Sequence, residues 1–79
     1  MILERIKTII EVEMGFTCPK ELQAANFVND LGMDSLDLVE LTLLVEREFT
    51  IYIDDNSATE MSVVGDLIEY VGAKNKHLK

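Results

Sequence analysis

The chain has 79 residues and a formal net charge of -8, from 15 acidic and 7 basic side chains. This length supports one small domain with a single core, and so negative a chain is not expected to bind nucleic acid. A single cysteine excludes an internal disulfide framework and favours a reducing cytoplasm. With no membrane-length apolar run and no signal-peptide pattern, residues 1–79 are interpreted as one complete domain.

The first half of the chain predicts a helix, a long connection and a second helix. Apolar residues at helical spacing predict the first helix at about 2–14, ended by Gly15. The connection spans 15–34, and Asp34 is suited to cap the second helix, 35–49. The apolar residues expected to pin this connection to the core are Phe16, Leu22, Phe27, Val28 and Leu31.

The second half predicts two further helices. Thr50 to Ile53 has strand-like propensity but is short and isolated, so we expect an extended connector. A short helix follows at about 55–60, and Ser62 is the expected N-cap of the last helix, 63–73. The tail 74–79 is expected to fray. The predicted fold is therefore an all-α bundle of three longer helices and one short helix.

The second helix is apolar on two sides. Its core stripe is Leu38, Leu41, Val45 and Phe49, whereas Leu36, Val39 and Leu43 lie on a different side, with Leu44 nearby. Residues 30–60 also hold nine acidic residues and one basic residue. An apolar centre with a charged rim is typical of a docking surface for a basic protein. The alternatives are that Leu36 and Val39 pack beneath the loop, and that the acids only aid solubility.

Ser35 opens this helix without a candidate base beside it in the sequence. A catalytic serine needs a base within hydrogen-bond reach, and the one histidine is His77, in the lysine-rich tail. Cys18, beside Pro19, is interpreted as structural or incidental. The chain is therefore not expected to be an enzyme, and Ser35 is interpreted as a site where a group is attached.

The residues around Ser35 resemble those of acyl carrier proteins. The run from Asp30 to Asp37 reads Asp-Leu-Gly-Met-Asp-Ser-Leu-Asp, with Phe27 before it and Val39-Glu40-Leu41 after it, and the likeness covers nearly the whole chain. It implies an acyl-carrier-like four-helix bundle with a 4'-phosphopantetheine arm on Ser35. A separate phosphopantetheinyl transferase would take that arm from coenzyme A. The thiol of the arm would hold acyl intermediates of fatty-acid or related lipid or polyketide synthesis as thioesters.

The resemblance also implies which residues meet partners and cargo. The expected partners are acyl-transfer and condensing enzymes with basic patches, and the chain is expected to be a monomer without a metal site. The implied partner-binding residues are Asp34, Leu36, Asp37, Val39, Glu40, Leu43, Glu46 and Glu48. The expected lining of an acyl cavity between the helices is Phe27, Leu41, Leu43, Val45, Ile53, Ala58, Met61, Leu67 and Val71.

The chain departs from the usual family pattern at Leu38, Leu44, Arg47 and Leu67, and the connector 50–55 lacks the usual proline. These departures leave the pathway open between housekeeping fatty-acid synthesis and a specialised route. A carrier of aminoacyl or peptidyl intermediates would use the same serine and the same arm. An acidic interaction module without an arm is a further alternative. The run from Asp54 to Glu60 could hold a divalent cation weakly, although it lacks the spacing and central glycine of an EF-hand.

Overall fold

The computed structural model describes residues 2–75, and its regular structure is helical. Within this range no strand forms, and the one β pairing is an isolated bridge between Asn26 and Val63. The predicted all-α bundle is thus confirmed. Its helices are α1 (Ile2–Thr8), α2 (Ser35–Phe49), α3 (Asp55–Glu60) and α4 (Val64–Asn75), with a π-helical turn at Ile9–Glu13 and a 3-10 turn at Leu22–Ala24.

The first helical segment differs from the uniform α-helix expected at 2–14. From Ile9 the chain winds as a wider π-helix, in which the amide of Met14 donates to the carbonyl of Ile9 over 3.1 Å. Ile9 and Ile10, at the start of this turn, are both buried. Hydrophobic spacing predicts that a segment is helical but does not distinguish a π-turn from an α-turn. The helical segment stops before Gly15, as predicted.

The connection between α1 and α2 contributes to the core. Leu22, Phe27 and Leu31 are buried as predicted, and Phe16 is half-buried. Val28 is 55% exposed, so its predicted role in pinning the connection is wrong. The reason is a local turn: the Asn26 side-chain oxygen accepts the amides of Val28 and Asn29, both over 2.9 Å.

The core joins this connection to the apolar faces of the helices. Among its members are Leu41, Val45 and Phe49 of α2 and Val64, Leu67 and Val71 of α4, all buried. No buried side-chain nitrogen or oxygen in residues 2–75 lacks a hydrogen-bond partner. In the same part of the chain, no helix combines the length and apolar character needed to cross a membrane.

Gly65 of α4 lies against the main chain of the 3-10 turn. A Cβ atom there would lie 2.9 Å from the carbonyl oxygen of Gln23, closer than side chains are found. We expect Gly65→Ala to lower the free energy of unfolding by about 1–3 kcal/mol, because backbone must shift to make room. Urea denaturation measures this change.

Gly72 of the same helix supplies the matched control. Its added Cβ would lie 3.7 Å from Cδ1 of Ile2, an ordinary contact. Gly72→Ala is therefore expected to be neutral or to stabilise by up to about 1 kcal/mol, since alanine favours a helix over glycine. Equal stabilities of the two variants would contradict the close approach at Gly65.

The start of α4 is capped by a different residue from the one predicted. The helix begins at Val64, one residue later than predicted, so Ser62 is not its N-cap. Instead the carboxylate of Asp66 accepts the amides of Ser62 and Val63, over 3.0 and 3.3 Å. At the other end α4 continues through Lys74 to Asn75, so the expected frayed tail does not begin at 74; residues 76–79 lie outside the described part.

Asp66 should make stability depend on pH. The amides of Ser62 and Val63 lower the pKa of the Asp66 carboxyl below its ordinary value. A carboxyl with a lowered folded pKa adds stability above its unfolded pKa, about 3.9, and loses it as pH falls through the folded value. We expect the stability advantage of the natural chain over Asp66→Asn to be full at pH 7 and to shrink steadily below about pH 4. Denaturation of both proteins across this range checks the prediction, and a pH-independent difference would contradict it.

Candidate functional site

The loop before α2 is held by its own hydrogen bonds. The Asp30 carboxylate accepts the Asn26 amide over 2.7 Å, and the Met33 amide donates to the Phe27 carbonyl over 3.0 Å. Gly32 has a φ of 78°, a left-handed conformation that costs glycine little. Phe27 and Met33, both buried, fix this loop against the core. The chain therefore enters α2 at Asp34 in one orientation.

Asp34 and Asp37 build the first turn of α2. The Asp37 amide donates to the Asp34 carboxylate over 2.9 Å, and the Asp34 amide donates to the Asp37 carboxylate over 3.1 Å. This reciprocal capping box confirms Asp34 as the N-cap. Ser35 is the first residue of the helix and its side chain is exposed. Its hydroxyl therefore lies at the positive end of the helix dipole, a position that favours a phosphate.

A cavity of about 490 Å³ opens beside Ser35, between α2, α3, α4 and the connector after α2. The predicted lining residues found there are Phe27, Leu41, Leu43, Ile53, Ala58, Met61 and Leu67. Val45 and Val71, also predicted, are buried in the core and do not line it. Helical spacing gave the apolar face of each helix but not which part of that face meets the cavity.

Several residues along the cavity were not predicted. On α2 these are Leu38, Val39, Thr42 and Glu46, which follow Ser35 at helical spacing and form one stripe with it. That stripe is present in the sequence and could have been found by starting the helical period at Ser35. Tyr52 also lines the cavity although it is 71% exposed, and no periodic pattern marks it.

The apolar side of α2 predicted for docking is exposed. Leu36, Val39 and Leu43 are 78%, 56% and 59% exposed. Leu36 and Val39 are therefore not packed beneath the loop, which was the alternative. Leu44, at the edge of this group, is half-buried against the core.

Most of the acidic residues predicted to meet partners are used within the chain. Asp34 and Asp37 cap α2, and the Glu46 carboxylate accepts the Ile53 amide over 2.8 Å. Glu48 forms an ion pair with Arg5, with 2.6 Å between the guanidinium and the carboxylate. Among these five predicted acids, Glu40 alone makes no side-chain hydrogen bond or ion pair to the described residues.

Arg5 ties the start of the chain to the end of α2. Besides its ion pair with Glu48, its guanidinium donates to the Glu48 carbonyl over 3.2 Å and lies 4.6 Å from the ring centre of Phe49. The sequence offers no local signal for this contact, since Arg5 and Glu48 are 43 residues apart. The carboxylate of Glu48 is thus partly engaged in holding the fold.

The remaining candidate groups within residues 2–75 are the run from Asp54 to Glu60 and Cys18. No group of three or more His, Cys, Asp or Glu side chains is arranged there to hold a metal ion. Asp54 instead caps α3, and its pKa is lowered by hydrogen bonds from the Ser57 hydroxyl and amide. Burial and the nearby Glu11 raise the pKa of the Cys18 thiol, which keeps it protonated at neutral pH. His77 lies outside the described residues.

The fold and the exposed serine beside an apolar cavity have the arrangement expected of a carrier for a covalently attached group. The family model described as "Phosphopantetheine attachment site" matches residues 4–71. The acyl carrier protein of Clostridium acetobutylicum is 40% identical over 73 residues, which cover 92% of this chain and 95% of that protein. The chain therefore belongs to the phosphopantetheine-binding carrier family, as its sequence resemblance predicted.

Members of this family carry covalently attached 4'-phosphopantetheine. The residues present here fit such a group. Attachment through a phosphodiester requires an accessible hydroxyl, and Ser35 offers one at a helix start that favours a phosphate. The adjoining cavity is lined mainly by apolar side chains, which suits an apolar chain attached near Ser35.

Proposed function

We propose that this chain is an acyl carrier protein whose Ser35 holds a 4'-phosphopantetheine arm. It presents acyl intermediates to partner enzymes of fatty-acid or related lipid or polyketide synthesis. The observation that carries this proposal is the position of Ser35: its side chain is exposed on the first turn of α2 and lies on the rim of the apolar cavity. When bound, the arm supplies a thiol that holds the acyl group as a thioester.

Ser35 is the acceptor in the attachment step, which a phosphopantetheinyl transferase catalyses. Its Oγ forms a bond to the phosphorus of the pantetheine-bearing phosphate of coenzyme A, and adenosine 3',5'-bisphosphate leaves. The serine proton passes to the transferase or to solvent. The first turn of α2 then places the new phosphodiester at the positive end of the helix dipole.

Partner enzymes are proposed to dock on the exposed side of α2. Leu36, Val39 and Leu43 supply the apolar centre, and Glu40 supplies an acidic rim that is available to a basic partner. Asp34 and Asp37 lie at the helix start and cap it. Glu48 is proposed as a secondary contact, since it is already paired with Arg5.

Charge reversal at Glu40 should weaken docking without disturbing the fold. Glu40 is exposed and forms no side-chain bond to the described residues, so Glu40→Lys is expected to change stability by less than about 0.5 kcal/mol. At low salt we expect kcat/KM for arm transfer to fall about tenfold, because a basic partner meets a like charge. Steady-state kinetics of the transferase on the unmodified chain measures this change.

Glu13→Lys, with the same charge change in the π-helical turn, is the matched control for Glu40. It is expected to keep most of the natural rate, because it lies on a different element from the proposed docking surface. Equal losses in the two variants would show that net charge, rather than this surface, governs recognition.

The experiment that tests the carrier role has two stages. The purified chain is first treated with coenzyme A and a phosphopantetheinyl transferase, and then with an acyl-carrier ligase, ATP and a fatty acid. We expect one mass increase in each stage, the second reversed by hydroxylamine as a thioester would be. Absence of the first increase would favour the acidic interaction module, and exclusive loading by an amino-acid-activating enzyme would favour the aminoacyl alternative.

We further infer a cytoplasmic monomer. A single, half-buried Cys18 is compatible with a reducing compartment and leaves no pair for a disulfide within the chain. The exposed apolar side of α2 is assigned to partner enzymes, so no second copy is needed to cover it. Light scattering of the purified carrier measures the mass in solution, and a stable dimer would contradict this assignment.

A further inference from the structure

The connector 50–54, called the strap below, forms one wall of the cavity. It leaves α2 at Thr50, which has a left-handed φ of 55°, and it contains no regular secondary structure from 51 to 54. Tyr52 and Ile53 of the strap line the cavity. The position of this short irregular segment therefore decides how closed the cavity is.

Two side chains from opposite sides hold the main chain of the strap. From α2, the Glu46 carboxylate accepts the Ile53 amide over 2.8 Å in a partly buried position. From α4, the Tyr70 hydroxyl donates to the Tyr52 carbonyl over 3.2 Å. The two bonds engage consecutive residues, so they hold the middle of the strap where it lines the cavity.

Glu46 also lines the cavity itself. A carboxylate next to an apolar cavity is costly unless it is hydrogen-bonded. The Ile53 amide supplies that bond, and the strap amide in turn gains an acceptor that its irregular backbone does not provide. The same contact thus satisfies two polar groups and closes one side of the cavity.

We propose that Glu46 and Tyr70 are positioning residues that hold the strap against the cavity and so set how completely a bound acyl chain is sheltered. The inference depends on the proposed carrier function, since it concerns the cargo of the arm. It assigns Glu46 to the strap and replaces the partner-binding role predicted from the sequence. It also gives Tyr70 a role that neither its apolar neighbours nor its helical position indicates.

Hydrogen exchange in the unmodified chain tests whether Glu46 holds the strap. In Glu46→Ala the Ile53 amide is expected to exchange about fivefold faster, the factor that one ordinary net hydrogen bond represents. Glu46→Gln should restore part of the protection, because the amide oxygen can still accept the bond. Glu69→Ala, which removes an exposed acid from α4, is the matched control and should leave Ile53 unchanged.

Hydroxylamine cleavage of acyl-loaded carriers tests whether the strap protects a bound acyl chain. An octanoyl thioester is expected to be cleaved about fivefold faster in Glu46→Ala and in Tyr70→Phe than in the natural chain. An acetyl thioester, too short to depend on the cavity, should be cleaved at equal rates in all of them. Glu69→Ala, adjacent to Tyr70 in α4 and outside the cavity lining, controls for Tyr70→Phe and should protect octanoyl as well as the natural chain does.

The outcomes separate this inference from the carrier function. Variants that load normally but protect octanoyl as well as the natural chain would overturn the strap inference and leave the carrier role intact. Equal acceleration of octanoyl and acetyl cleavage would overturn it as well, because the effect would not depend on the cavity. Failure of the natural chain to accept the arm would instead contradict the carrier role, whatever the exchange of Ile53 shows.

Discussion

Replacing Ser35 with alanine is expected to abolish attachment of the arm and, with it, all acyl loading. The change removes the Oγ that forms the phosphodiester, and no substitute hydroxyl occupies the first turn of α2. The fold should persist, because the Ser35 side chain is exposed and alanine is a good helix former. Intact mass after treatment with coenzyme A and a transferase measures attachment, and circular dichroism verifies the helices.

The two other serines supply the controls for this change. Ser57 lies in α3 and Ser62 precedes α4, and neither begins an acidic helix next to the cavity mouth. Ser57→Ala and Ser62→Ala are expected to gain the same mass as the natural chain. A full mass increase in Ser35→Ala, or its loss in one of the controls, would contradict the assignment.

Replacing Phe27 with alanine is expected to cost about 3–5 kcal/mol of unfolding free energy, as large-to-small core changes of aromatic residues do. Phe27 is 4% exposed, lines the cavity and lies in the loop that positions α2. A loss of this size takes a large share of the 5–15 kcal/mol typical of a domain. Urea denaturation is the measurement, with the natural chain as reference.

Val28, the next residue, is the matched control for Phe27. It is apolar and was predicted to be pinned to the core, but its side chain is exposed. Val28→Ala is therefore expected to change stability by less than about 0.5 kcal/mol. A loss at Val28 comparable to the loss at Phe27 would show that the loop is packed differently from the structure described above.

The sequence was most informative where the determining interactions are local. The α2 boundaries and its cap at Asp34 follow from residues three positions apart, as a capping box does. Ser35 was predicted to open α2 from the capping residues beside it, and it is the first residue of that helix. The acidic and apolar sides of α2 likewise follow from helical spacing alone.

Interactions between distant residues account for most of the differences between the predicted and the observed site. Five acids were predicted to face partners, but the sequence cannot show that Glu48 meets Arg5 or that Glu46 turns toward the Ile53 amide. For the same reason Val71 was assigned to the cavity although it packs into the core. Periodicity identifies a buried face, whereas tertiary packing decides what that face contacts.

Local hydrogen bonds between side chains and backbone amides account for the other differences between the prediction and the structure. The turn at Asn26 that turns Val28 outward depends on a side-chain oxygen accepting two backbone amides, which outweighs the apolar character of valine. Asp66, in the first turn of α4, accepts the amides of Ser62 and Val63. The helix therefore starts after Ser62, the residue that sequence rules favour as its N-cap. An isolated bridge between Asn26 and Val63 joins this loop to the residue before α4.

Fragmentation of the coenzyme A-treated chain in a mass spectrometer tests most directly the central claim, that Ser35 is the attachment residue. We predict one added 4'-phosphopantetheine per chain, found only on fragments that contain Ser35. An adduct on Ser57 or Ser62, or a chain that gains no mass with an active transferase, would contradict the claim.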